Sequence, residues 1–301
     1  MTARRGSTAG IGHGTWRPEA WYNRPRRLFV EHSQNVVSHS KTSPAAAPWQ
    51  VEAVRLTAFL PAASSLDPES WWAELTGQPP ERQISWRKQS QSQSDGLLAR
   101  PDLPAARLVL KTERARVDWL LGPELESQEG PPDIGSAHLG PLPDVLPVFC
   151  EMMLRWLATT GLDVTRLALG VTLRLPVKTK EEAYSLMSNY LPFNLAPESS
   201  DFLYRINRPR PSASLDDGTI VNRLATWAVI RVQTLVISAS VGGAATQEVS
   251  REGEPFVACR LELDISTADD RPGILPQDRF EALLAEFADV AVEIAARGDR
   301  P

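Results

Sequence analysis

Apolar and polar residues alternate most regularly between Thr165 and Leu175. Leu167, Leu169, Val171, Leu173 and Leu175 fall on one side, and Arg166, Ala168, Gly170, Thr172 and Arg174 on the other. A period of two is the signature of a strand with one buried face. The same pattern predicts strands at Val54–Leu60 and Val257–Ile265; in the latter, Cys259, Leu261 and Leu263 oppose Arg260, Glu262 and Asp264. Further strands are expected at Ile84–Arg87, Leu108–Leu110, Val117–Leu121 and around Phe202, Tyr204 and Ile206, with a long apolar one from Trp227 to Ser238.

Helical spacing marks two long amphipathic segments. Val145, Val148, Phe149, Met152 and Trp156 form one stripe of a helix running to Thr160, with Asp144 as its N-cap and Gly161 just past its end. Phe280, Leu283, Leu284, Phe287, Ala291 and Ile294 form the stripe of a final helix opened by Pro276 and closed by Gly298. Two short helices are expected. Pro68–Thr76 lies between the N-cap Asp67 and Gly77, and Lys180–Tyr190 follows the Thr179/Glu182 capping box. The Gln/Ser-rich run Gln89–Gly96 and the acidic stretch 122–143 predict loops.

The order of these elements is strand, short helix, several strands, long helix, twice over. It predicts an α+β fold of two similar halves, 51–161 and 162–299, with helices packed on one face of a mainly antiparallel sheet. The layout is that of a TATA-binding-protein-like or helix-grip-like pseudo-dimer. No residue-level repeat accompanies it. Residues 1–50 contain no periodic apolar set and are expected to be a disordered basic tail.

Charge sharpens this division. The whole chain of 301 residues carries a formal charge of −5, of which the tail holds +5 and the remainder −10. An acidic body argues against nucleic acid as the partner. The arginine-rich run Tyr204–Arg210 therefore reads as a charged edge strand. No membrane span is expected, and the tail lacks the apolar core of a signal peptide, so the expected location is the cytoplasm.

Few residues suggest catalysis. His138, beside Ser136, is the one histidine outside the tail, and no nucleophile elbow or phosphate-binding loop accompanies it. Cys150 and Cys259 lie among apolar positions and are expected to be buried thiols. Glu262 and Asp264, with Asp269 and Asp270 beyond, would suit a magnesium-dependent nuclease, but Arg260 on the same side makes ion pairing the simpler reading. No catalytic residue, metal or cofactor is therefore expected.

Two features suggest binding instead. Strand alternation sends Arg166, Arg174, Arg260, Glu262 and Asp264 to one polar face, away from the helices. Trp71 and Trp72 are adjacent on a short helix, so one of them is expected to be an exposed anchor.

The stretches Val164–Gly170, Phe202–Arg208 and Cys259–Ile265, followed by the terminal helix, resemble in order and spacing a sporadically distributed family of uncharacterised bacterial proteins. The resemblance is best from Val164 onwards. Members of that family often carry an arginine-aromatic-x-asparagine stretch where this chain has Gly170-Val171-Thr172-Leu173. The resemblance implies a bacterial cytosolic origin and no particular activity.

The function these observations favour is a non-enzymatic interaction protein, a subunit or adaptor of a multi-component bacterial system with a protein partner. The alternatives are a helix-grip module holding a small molecule between its long helices and the sheet, and, behind it, the metal-dependent nuclease.

Overall fold

One-sided burial builds a single antiparallel sheet from nearly all of the alternating segments. The computed structural model describes residues 49–299 apart from 63, 87–90, 126–134, 136 and 240–246, with the backbone alone at 234–239 and 247–254. Residues 1–48 of the expected tail, the middle of the acidic loop and a turn at Gly242-Gly243 lie outside the described residues. The last two residues assigned to the tail are ordered, Trp49 buried in the core and Gln50 opening the first strand.

In chain order the elements are β1 (Gln50–Phe59), α1 (Pro68–Thr76), β2 (Arg82–Trp86), β3 (Gln91–Leu98), β4 (Ala106–Glu113), β5 (Arg116–Pro123) and α2 (Leu142–Thr160). They continue as β6 (Arg166–Val177), α3 (Lys180–Met187), β7 (Leu203–Asn207), β8 (Arg210–Pro211), β9 (Ile220–Ala239), β10 (Gln247–Thr267) and α4 (Phe280–Arg297). The sheet runs β2-β3-β4-β5-β1-β6-β10-β9-β7, with β8 beside β9, and every pairing is antiparallel. β1 and β6 lie side by side at its centre, Leu56 opposite Leu169 and Val54 opposite Val171.

The apolar face of this sheet is the core. Leu56, Leu108, Leu110, Trp119, Leu169, Leu173, Leu261 and Trp227 are fully buried under the helices. Tryptophans join the layers: Trp72 of α1 stacks on Trp119 of β5 at 6.0 Å, and Trp156 of α2 meets both Trp119 and Trp71 edge-on. On the other side, Trp49 donates to the Ala295 carbonyl of α4 at 2.9 Å.

Local signals place the helices. Asp67 accepts from the Ser70 amide at the start of α1, and Gly77 ends it with φ 73°. Thr179 likewise caps α3 through the Glu182 amide, while the Glu182 carboxylate reaches back to the Lys178 amide at 2.9 Å.

Four expectations need correction. The Gln89–Gly96 loop is mostly strand β3. Its helix-side residues are Ser92, Ser94 and Gly96, which carry no apolar signal; Trp72 packs over Gly96, where a Cβ would stand 3.2 Å from the indole. Asp144 does not cap α2, which begins at Leu142 after Pro141 with no side-chain cap. The Leu142 amide instead donates to the Trp49 carbonyl at 3.0 Å, and Pro143 has no amide to satisfy. The helix predicted to reach Tyr190 ends at Met187. Trp71 and Trp72 are both buried, at 6% and 1% exposure, because α1 sits in the angle between α2 and the sheet. Neither is an exposed anchor.

Candidate functional site: the helix-free face of the sheet

Register across the sheet fixes which side chains share the open face. Arg82, Asp95, Val109, Leu120, Arg55, Gly170, Asp264, Leu224 and Asn207 form one row from edge to edge. The next row contains Ala53, Thr172, Glu262, Thr226 and Arg205. Gly170, Ala53 and Thr172 are small, so the middle of the face sinks into a trough. The resulting cleft, about 520 Å³, is walled by Arg55, Arg205, Glu262, Asp264, Leu120 and Leu203.

The five charged residues expected on this face all lie on it, in three different situations. Arg174 is 1% exposed; it donates to the Gly135 carbonyl at 2.9 Å, faces Glu52 at 3.7 Å and lies over the Phe256 ring. It is a buried structural group, so the expectation of an exposed binding arginine is corrected for this residue. Register alone could not reveal the contacts that Phe256 and Gly135 supply. Arg166 is also engaged, donating to the Thr267 carbonyl and the Ser266 hydroxyl and lying over Phe59. Arg260 bridges Glu52 at 3.4 Å and Glu262 at 3.2 Å.

Asp264 differs from these four. It sits beside Gly170 in the cleft, and among the described residues no hydrogen bond or ion pair engages it. The same holds for two arginines that sequence pattern did not single out, Arg55 on β1 and Arg205 on β7. The Nε of Arg55 is shielded from solvent and has no acceptor. Two other arginines of this face are paired, Arg107 with Glu124, Asp95 and Glu81, and Arg116 with Asp118. Of the unpaired charges on this face, Arg55, Arg205 and Asp264 line the cleft, while Arg82 and Lys111 lie outside it. The available signal was Gly170, an unexplained gap in the polar side of the most regular strand, but its neighbours follow only from the pairing of β1 with β6.

The residues considered for catalysis are placed otherwise. Burial pushes the thiols of Cys150 and Cys259 up to about 12, so neither offers a thiolate near neutral pH. His138 is half-buried, accepts the Gly140 amide at 3.1 Å, and is held below its ordinary range by burial and by the Arg174 charge. Where a nuclease would place a cation beside Glu262, the guanidinium of Arg260 already stands. Among the described residues no three His, Cys, Asp or Glu side chains are grouped to hold a metal ion.

A smaller hollow of about 310 Å³ lies between the end of α4 and strands β7 and β9. Its arginines are largely neutralised: Asp299 binds Arg208 and accepts from the Tyr204 hydroxyl at 2.6 Å, and Glu293 meets Arg210 and Arg223. Among the described residues no helix is long and apolar enough to cross a membrane. Comparison of the chain with protein-family models, curated proteins and solved structures gave no match.

Proposed function

We propose that this chain is a non-enzymatic binding protein, a subunit or adaptor, that holds a partner polypeptide in the cleft on the helix-free face of its sheet. The observation that carries the proposal is the set of charges left without intramolecular partners there: Arg55, Arg205 and Asp264. Shielding a polar donor without an acceptor costs roughly 1–3 kcal/mol. An incoming carboxylate or carbonyl would offset that cost.

Shape favours a polypeptide over a compact ligand. The cleft lining reaches from Leu120 on β5 to Leu203 on β7, across five strand spacings, or about 24 Å at the usual interstrand distance. An extended segment of about seven residues spans that length. The mixture of two guanidiniums with Asp264 and Glu262 suits a segment carrying charges of both signs, and it suits the uniform negative charge of a nucleic-acid backbone poorly.

The same reading treats the chain as a pseudo-dimer. The order strand, helix, four strands, helix occurs twice, and the strands that open the two sets, β1 and β6, lie side by side, flanked by the last strand of each set, β5 and β10. The cleft then crosses the junction of the two halves, where neither half alone could form it.

The test is co-purification followed by native mass spectrometry. A polypeptide retained by the wild type and lost from the Arg55→Ala/Arg205→Ala variant supports the proposal, with Lys111→Ala, on the same face but outside the cleft, as a control that keeps it. Retention of a small molecule in place of a polypeptide, or equal retention by all three proteins, overturns it.

A further inference from the structure

We infer that strand β2 is the contact through which two copies of this chain associate, edge to edge. β2 is the terminal strand of the sheet, and all five of its residues are exposed. Ile84 and Trp86 are among the larger apolar side chains left in solvent, at 39% and 43% exposure. With Arg82 they point to the helix-free face, opposite Asp95, Gln93 and Gln91 of β3. Among the described residues no strand or loop hydrogen-bonds to the outer edge of β2.

An open strand edge is a template for pairing unless it is blunted. The opposite edge of the sheet is blunted: β7 carries Arg205 and is followed by Arg208, Pro209, Arg210 and Pro211. β2 contains no proline and a single charge, Arg82. Pro79 and Pro80 precede it and confine any added pairing to this short strand.

The sequence of β2 complements itself. In an antiparallel pair with a two-fold axis at Ile84, Ile84 meets its own copy, Gln83 meets Ser85, and Arg82 meets Trp86 at both ends. All three apolar or cationic pairs lie on one face, and an arginine over an indole is a favourable cross-strand neighbour. Neither residue is otherwise engaged: among the described residues Arg82 has no ion pair or hydrogen bond, and Trp86 has no ring contact. The axis is perpendicular to the sheet, so both helix layers fall on one side of a continuous double sheet and both clefts on the other. Two five-residue strands bury less than the ~1,200 Å² of a standard stable interface, which makes this a weak, concentration-dependent dimer.

Sedimentation velocity of the full chain over a concentration series tests the pairing. The wild type should pass from monomer to dimer as concentration rises. Trp86→Arg sets two arginines opposite each other at both ends and should raise the dissociation constant by about tenfold or more. The exchange Arg82→Trp/Trp86→Arg recreates both arginine–indole pairs with the residues reversed, and should restore association. Each protein is checked for the wild-type circular dichroism spectrum, which substitutions at exposed positions should preserve. A wild type that is monomeric throughout, a dimer unmoved by Trp86→Arg, or an exchange variant no better than Trp86→Arg would each overturn the inference.

Discussion

The guanidinium of Arg55 lies across Gly170, with Nε 3.4 Å and Nη2 3.5 Å from where a Cβ on that glycine would stand. The arginine occupies the space a side chain on β6 would need, and it can do so because position 170 has none. Gly170→Val should therefore displace Arg55 at little cost to the fold, since the neighbour that must yield is a flexible side chain and valine suits a central strand. The expected change in unfolding free energy is within about 1 kcal/mol, with loss of partner capture. Chemical denaturation measures the first and co-purification the second.

Gly298 is constrained far more tightly. Its φ is +70°, and a Cβ there would stand 2.0 Å from the Tyr190 carbonyl oxygen, which is backbone and cannot swing aside. Gly298→Ala should force α4 off the turn after α3 and destabilise the protein by more than about 3 kcal/mol. A thermal midpoint near that of the wild type would show that this end of α4 is not fixed in place.

Core truncations should be costly on the helix-covered face. Leu169 and Leu263 are 0% and 3% exposed, and replacing either by alanine should cost roughly 2–5 kcal/mol. Trp156→Ala, which breaks the edge-on contacts with Trp71 and Trp119, should reach at least the upper part of that range. Urea unfolding of the three variants checks the order.

Acid should loosen the contacts that anchor α4 and the segment around β8. Asp299 is held below the ordinary carboxylate range chiefly by the hydrogen bond from Arg208. Burial alone would raise Glu286, but hydrogen bonds from Ser214, Ala213 and Ser212 bring it net below its ordinary value. Asp217 is lowered to about 2 by Thr219 and Arg271. A carboxylate depressed in the folded state contributes stability that is present above its unfolded value, near 4, and lost as pH falls through the folded one. Stability should thus decline from about pH 5 towards pH 2. Asp299→Asn should be less stable than the wild type at neutral pH, with the gap closing as acid protonates Asp299 in the wild type. A gap independent of pH would contradict this assignment.

Sequence pattern revealed the fold where burial is one-sided and apolar. The leucines of Thr165–Leu175 identified β6 and its inward face, and Asp67, Gly77 and Thr179 marked helix ends through contacts within a few residues. It failed where neighbours distant in the chain decide. β3 looked like a loop because its inward residues are serines and a glycine under Trp72, and Trp71 with Trp72 looked half-exposed because the angle between α1, α2 and the sheet is not written locally. For the site, alternation put all five charged residues on the correct face. It could not separate Arg174, covered by Phe256, from Asp264, left free, nor bring Arg55 to Gly170. The meeting of Arg55 with Gly170 depends on register between strands more than a hundred residues apart in the chain. The cover over Arg174 depends on contacts with Phe256 and Gly135 that register does not fix.

The most direct measurement of the central claim is site-specific photo-crosslinking from within the cleft. A photoreactive residue at Thr226, which lines the cleft between Glu262 and Arg205, should crosslink the co-purifying polypeptide. The same probe at Glu151, exposed on α2 on the opposite side of the sheet, should not. Crosslinks from Glu151 with none from Thr226 would place the partner on the helix layer and contradict the account.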